Sequence, residues 1–171
     1  MQHLNWNWLV KVEHRIGCVF HAFIHFLKHL RPLVDLIARF WVAKIFFYSG
    51  LAKISAWPTT LMLFSYEYHV PFLSASAAAV LGTAAEIILP VLLVVGLGGR
   101  LMILVFFLYN TIAAISYPYL WTAAGSAGLD QHINWALLLA LLIVNGPGNW
   151  SIDAWLHRRH IHRLHLMAEK K

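Results

Sequence analysis

The stretch that decides the fold is LVDLIARFWVAKIFFYSGLAKISAW, residues 33–57. It is long enough to cross a bilayer, because about 20 helical residues span the hydrocarbon core. It nevertheless carries Asp35, Arg39, Lys44 and Lys53. A charge inside a membrane helix costs about 3 kcal/mol or more, so it usually faces a bundle interior or a wet cavity, or reaches to the interface.

Most of these charged residues share one side of the predicted helix. At about 100° per residue, one face carries Asp35, Arg39, Phe46, Gly50 and Lys53. Lys44 points away from that face. The helix therefore has a polar stripe, and we expect a partner helix to supply groups that pair with it.

The composition indicates a small integral membrane protein. The chain has 171 residues, of which 60% are hydrophobic and 12% charged, and its formal net charge is +6. Its mean hydropathy is +0.66. These values fit one membrane domain better than a soluble domain. The single cysteine, Cys18, excludes an intramolecular disulfide and a Cys-x-x-Cys redox motif.

Residues 1–32 are predicted to form an amphipathic helix on the cytoplasmic membrane surface. Apolar residues recur at alternating steps of three and four, at Leu9, Val12, Ile16, Val19, Phe23, Phe26 and Leu30. Cations and histidines occupy the opposite face. Pro32 is expected to break this helix before the first span.

The polar face of that helix also has the spacing of a metal site. Cys18, His21, His25 and His29 follow one another at steps of three, four and four, which places them on neighbouring turns. The simpler interpretation is that these histidines face solvent and lipid headgroups. The alternative, a zinc or copper site, stays open.

Three further spans are predicted after the first, giving a four-helix membrane domain over residues 33–149. They are assigned to residues 74–97, 100–120 and about 133–145. A half-buried helix is expected within 57–73, and residues 121–131 are predicted to be an outer loop. Asp130 and His132 are expected at the outer mouth of the bundle.

Glu86 lies about halfway along the second span, so it must be protonated, paired or hydrated. Depth in the membrane favours Lys44 as its direct partner. The shared face favours Arg39 or Lys53, and we adopt that interpretation. Asn110 in the third span is expected to bond across helices. The predicted buried polar cluster is therefore Arg39, Lys53, Glu86 and Asn110.

The distribution of lysine and arginine predicts the orientation. The N-terminal 32 residues hold four, the turn after the second span holds Arg100, and the basic, histidine-rich tail at 150–171 holds five. The connections 57–73 and 121–131 hold none. With four spans, this bias places both termini in the cytoplasm. Nucleic-acid binding is not expected, because the cations flank membrane spans.

Three stretches of this chain resemble the DoxX family of small bacterial membrane proteins: RFWVAKIFFYSGLAKI, LGTAAEIILPVLLVVGLGGRL and DQHINWALLLALLIVNGPGNWSID. The resemblance covers roughly residues 33–156. It implies an all-α, four-helix bundle in the bacterial inner membrane. Some members of the family are small subunits of thiosulfate:quinone oxidoreductases, and others accompany redox-maturation or copper-peptide systems.

Three functional hypotheses follow. The first is a membrane subunit of a redox-associated complex that contacts a quinone. The second is a metal-handling or maturation partner, based on the eleven histidines. The third is a structural scaffold latched by the charged seam. The catalytic residues are unknown, because the sequence shows no nucleophile–base pair. A protein partner or a homo-oligomer is expected beside the lipid bilayer.

Overall fold

The structure is a computed structural model that describes the backbone of residues 6–168 and the side chains of residues 17–161. The described chain is helical, as predicted, and no strand occurs within it. Its elements are α1 (Trp6–Ser55), α2 (Trp57–Tyr66), α3 (Ala75–Val95), α4 (Gly99–Ser116), a 3-10 turn (Pro118–Trp121), α5 (Ser126–Asn145) and α6 (Ile152–Ala168).

The chain divides into two compact units, Met1–Val34 and Asp35–Lys171. In the first unit, the described part of the predicted apolar face is exposed at Val19, Phe23 and Phe26 and half-buried at Leu30. The predicted break at Pro32 is wrong, because α1 continues through that residue. A proline removes one intrahelical hydrogen bond, and helical turns on either side can hold the axis with a kink.

Three helices of the described chain are long and apolar enough to cross a membrane: Ala75–Val95, Gly99–Ser116 and Ser126–Asn145. By length and apolar composition, the described chain therefore has three such helices and not the four spans predicted. The C-terminal part of α1 falls outside the three because it carries Asp35, Arg39, Lys44 and Lys53. Charged residues lower its hydropathy, although its length would suffice.

Two predicted boundaries are also corrected. The third span was expected to run to residue 120, but α4 ends at Ser116 and a 3-10 turn follows. The outer loop was expected to reach residue 131, but α5 begins at Ser126. Asp130 and His132 therefore lie on a helix and not in a loop.

The core of the second unit joins α1, α3, α4 and α5. Its most buried apolar side chains include Val42, Phe46, Leu93, Phe106 and Leu139. Phe46 lies at the centre, with its ring 4.9 Å from that of Phe106 and 5.0 Å from that of Trp135. These edge-on aromatic contacts fix the C-terminal part of α1 inside the bundle.

A smaller core joins α2 to the beginning of α3. Phe64 of α2 packs with Ala78 and Ala79 of α3, and all three are buried. The small side chains of Ala78 and Ala79 let α2 approach α3 closely.

Candidate functional site

Lys53 and Glu86 form a buried ion pair between α1 and α3. The Lys53 Nζ lies 2.7 Å from Glu86 Oε1 and 2.6 Å from Oε2. The two side chains are 13% and 8% exposed. Removing either partner would leave an uncompensated buried charge, which is strongly unfavourable. Among the three cations considered for Glu86, the structure places Lys53 against it.

Two hydroxyl groups complete this ion pair. Lys53 Nζ donates to Ser49 Oγ at 2.9 Å. The Tyr109 hydroxyl lies 3.1 Å from both Glu86 Oε1 and the Gly82 carbonyl oxygen. Lys53, Ser49, Glu86 and Tyr109 therefore form one network, which we call the polar cluster. Three helices contribute to it, so its formation depends on the tertiary fold.

A cavity of about 340 Å³ adjoins the polar cluster. Its wall combines aliphatic residues with aromatic ones, which include Phe46, Phe64, Tyr68, Tyr117 and Trp135. His132 lines the same cavity. Ligand cavities commonly measure about 300–1,000 Å³ and combine apolar walls with a few polar groups. The arrangement therefore suits a small apolar molecule that carries polar atoms.

Asn110 and His132 form a second polar pair at the cavity. Asn110 Nδ2 donates to the His132 carbonyl oxygen at 3.0 Å. Asn110 Oδ1 lies 2.8 Å from His132 Nδ1. Asn110 is 1% exposed. The expected bond across helices is thus formed between α4 and α5, and its partner is His132 and not Glu86.

Tyr68 and Tyr117 line the cavity beside Phe64. Tyr68 lies with its ring 4.7 Å from both Phe64 and Tyr117. Burial, together with the neighbouring Tyr117, Glu86 and Glu67, raises the pKa of Tyr68 to about 12. Burial and a hydrogen bond to Glu67 likewise raise the pKa of Tyr117. Both hydroxyls therefore remain protonated at neutral pH.

Arg39 does not join the polar cluster, so its predicted place beside Glu86 is corrected. It is 1% exposed and donates to the carbonyl oxygens of Pro147 and Trp150, the latter at 3.2 Å. A β-carbon on Gly148 would lie 2.7 Å from Arg39 Nη2 and 3.4 Å from Asp35 Oδ2. Arg39 thus holds the turn between α5 and α6, and glycine is needed for that approach.

The remaining candidates lie apart. Lys44 is exposed and its Nζ sits 4.3 Å above the Trp41 ring, so the depth argument for a contact with Glu86 fails. Asp130 is exposed on α5, whereas His132 turns towards the cavity. The two do not form one outer-mouth site.

The metal-site residues Cys18, His21, His25 and His29 are all exposed in the first unit. His29 Nδ1 lies 2.8 Å from the His25 carbonyl oxygen, and their rings are 4.5 Å apart. Within the described residues, no three histidine, cysteine or acidic side chains come together to hold a metal. Metal binding here stays a prediction.

Sequence reasoning missed the roles of Ser49, Tyr109 and Trp135. Ser49 precedes Lys53 by four residues and therefore lies one turn away on the same face, which was the available signal. Tyr109 is a polar residue within the third span, but its partners, Glu86 and Gly82, lie on another helix and leave no local signal. Trp135 gave no signal, because an aromatic residue in an apolar helix is ordinary.

Three helices that are long and apolar enough to cross a membrane place this helical bundle among the small integral membrane proteins. The chain belongs to the DoxX family, whose profile matches residues 34–124. It is also 31% identical over 130 residues to the inner membrane protein YphA of Escherichia coli (strain K12), which covers 72% of this chain and 90% of that protein. A search of solved structures finds no match.

Family membership and the three apolar helices identify a bacterial membrane protein in contact with the lipid bilayer. The matched region contains α2, α3, α4 and the Lys53–Glu86 pair. Asn110 also lies within it, whereas His132 and Trp135 follow it.

Proposed function

We propose that this protein is an accessory membrane subunit of a redox-associated complex, and that its cavity binds a molecule of the quinone class. The observation that carries the proposal is the cavity of about 340 Å³, with aromatic walls and polar groups at the Lys53–Glu86 pair. Quinones and their reduced quinols combine an apolar ring with oxygens that need polar contacts, which is the chemistry this wall offers.

The residues that would hold such a ring can be named. Phe46 and Trp135 offer aromatic contacts, with ring centroids 5.0 Å apart. Ser49, Tyr109 and His132 bring polar atoms to the same cavity. A bound quinone would carry electrons and protons within the membrane. The electron donor would come from a partner protein, since the chain shows no catalytic motif of its own.

A second candidate is a structural scaffold, and the completeness of the polar cluster favours it. All three N–H groups of Lys53 have acceptors, in Ser49 Oγ and the two Glu86 oxygens. An ion pair satisfied in this way can serve assembly alone. Under this proposal the cavity would bind no specific ligand.

We further propose that the protein is multi-pass in the inner membrane with both termini cytoplasmic. The charged part of α1 then forms a first span, and the polar atoms of Lys53 are satisfied by α3. The N-terminal residues 1–32 and the tail at 150–171 would lie on the cytoplasmic side. The concentration of lysine and arginine in those segments supports this orientation.

The test begins with the full chain purified in mild detergent. Chromatography of the extracted lipids should reveal copurified quinone, and an elemental scan of the same sample tests the metal alternative. A short-tailed quinone is then titrated while tryptophan fluorescence is recorded. We expect saturable quenching, because Trp135 lines the cavity.

A matched pair of variants separates binding in the cavity from partition into the micelle. Ala113→Phe fills the cavity and should weaken binding by about tenfold or more, whereas Ala127→Phe changes an exposed position on α5. Quenching that never saturates, and is equal in both variants, would exclude the ligand-binding proposal and leave the scaffold.

A further inference from the structure

We infer that the cavity selects a hydrogen-bond donor, namely a phenol or quinol, whose hydroxyl donates to His132 Nε2. Asn110 would act as the positioning residue for that histidine. The inference rests on the proposed function and deepens it, because it names the reduced, hydroxyl-bearing form as the preferred ligand. It follows from the atoms of the Asn110–His132 pair.

The orientation of the Asn110 amide is fixed by the backbone of α5. A carbonyl oxygen can only accept a hydrogen bond, so the atom that faces the His132 carbonyl at 3.0 Å must be the amide nitrogen. The other amide atom, Oδ1, then faces the His132 ring at 2.8 Å. This assignment comes from hydrogen-bond chemistry and leaves no choice of amide flip.

The amide orientation in turn sets the histidine tautomer. Because Asn110 Oδ1 can only accept, His132 Nδ1 must carry the proton that it donates. A neutral imidazole with its proton on Nδ1 has an acceptor lone pair on Nε2. The partner of Nδ1 is an amide and not a carboxylate, so no negative charge at Nδ1 stabilises a second proton on the ring. This favours the neutral ring.

Nε2 has no hydrogen-bond partner among the described residues, although the ring is half-buried. The ring stands edge-on to Phe46 and Trp135, at centroid distances of 6.4 and 4.9 Å. These contacts and the Asn110 bond hold its plane. His132 lines the cavity, so a ligand there can reach this acceptor, and one that donates to it gains more than one that cannot.

The polar cluster has the same bias towards acceptors. Lys53 uses all of its N–H groups, as shown above, and Glu86 carries only acceptor oxygens. The single proton of Tyr109 is taken by Glu86 or by the Gly82 carbonyl. Ser49 retains one hydroxyl proton, which suits the lone pair of a ligand hydroxyl. A quinone carbonyl, which can only accept, would meet mostly other acceptors.

The test compares 1-naphthol with 1-methoxynaphthalene, in which a methyl group replaces the hydroxyl proton. Both are titrated by calorimetry into the full chain in detergent. We expect the wild-type protein to bind the naphthol about tenfold more tightly, as one hydrogen bond to a cavity-lining acceptor provides. His132→Phe keeps an aromatic ring, so it should still bind the ether. The ratio of the affinities for naphthol and for the ether should fall to about one.

A second variant examines the positioning role of Asn110. Asn110→Leu should reduce the preference and move the ¹⁵N signals of His132 away from the Nδ1–H tautomer. Asn134→Leu, at an exposed site on α5, should leave both unchanged. The His132 signals are assigned by their loss in His132→Phe. If His132→Phe does not fold, two wild-type measurements test the inference. These are the preference for naphthol over the ether and the shift of the His132 Nε2 signal when naphthol is added.

The outcomes separate the two proposals. If neither probe binds saturably, the ligand-binding function fails. If both bind the wild type with equal affinity, or if His132→Phe leaves the preference intact, the cavity binds ligands but the donor inference is overturned. A wild-type Nε2–H tautomer would overturn it as well.

Discussion

Gly50 of α1 faces Glu86 of α3 with no room between the helices. A β-carbon at position 50 would lie 3.1 Å from the Glu86 Cβ and 2.8 Å from Ile87 Cδ1. This close approach brings Lys53, one turn further along α1, to the Glu86 carboxylate. The absence of a side chain at position 50 is therefore part of the geometry of the ion pair.

The first prediction concerns this contact. Gly50→Ala should destabilise the protein by about 1–3 kcal/mol, because the added carbon forces α1 and α3 apart. Melting in detergent, followed by circular dichroism, should show a fall of several degrees. Gly17→Ala is the matched control, since a β-carbon there meets nothing within 4 Å. A Gly50→Ala protein as stable as Gly17→Ala would contradict the packing described.

The second prediction concerns the ion pair. Lys53→Met should destabilise the protein by about 3–5 kcal/mol, because it leaves the Glu86 carboxylate buried without its cation. Adding Glu86→Gln should recover part of that loss. The exposed Lys44→Met should change the melting temperature little. If the double variant were as unstable as the sum of the two single ones, the two residues would not be coupled.

The third prediction concerns Arg39. Arg39→Gln should destabilise the turn at 146–151 by about 2–4 kcal/mol, because hydrogen bonds from a charged donor to two carbonyls are lost. Hydrogen exchange should speed up at that turn and at the start of α6, while the polar cluster stays protected. Uniformly faster exchange over the whole chain would show a general loss of folding and not a local anchor.

The fourth prediction is topological. Reporter fusions after Lys171 and within residues 123–128 should report opposite sides of the membrane, with the C-terminus cytoplasmic. The charge bias of the connections is the reason for this expectation. Two reporters on the same side would remove the four-span arrangement, and with it the assignment of α1 as the first span.

The fifth prediction concerns Cys18, whose side chain is exposed. If the N-terminus is cytoplasmic, a thiol reagent that cannot cross membranes should label Cys18 only in inverted vesicles. Zinc or copper should block that labelling if His21, His25 and His29 complete a metal site. Labelling that is unaffected by saturating metal would end the metal hypothesis.

The sequence predicted the helical membrane fold well, because long apolar segments have few other solutions. It also indicated that Glu86 needs a partner. It did not identify Lys53 uniquely, because helical rise counted from residue 74 placed Glu86 too deep for it. The structure shows the pairing directly, because Lys53 Nζ lies 2.7 Å from Glu86 Oε1 and 2.6 Å from Oε2. The end of α1 is therefore level with the middle of α3.

Other relationships lacked any local signal. Arg39 binds backbone carbonyls of a turn more than 100 residues away, as its separation of 108 residues from Pro147 shows. Carbonyl oxygens occur at every residue, so sequence cannot distinguish the ones that bind. The start of α5 at Ser126 was hidden by its small residues, which are as common in loops as in close-packed helices.

The separation of 33 residues between Lys53 and Glu86 has a consequence for biosynthesis. When Lys53 leaves the ribosome, the carboxylate that will neutralise it lies 33 residues behind, still inside the exit tunnel. The segment is too polar to enter the bilayer efficiently by itself. We therefore expect it to remain at the insertion machinery and to enter the membrane together with α3 as a hairpin, after Glu86 has left the ribosome.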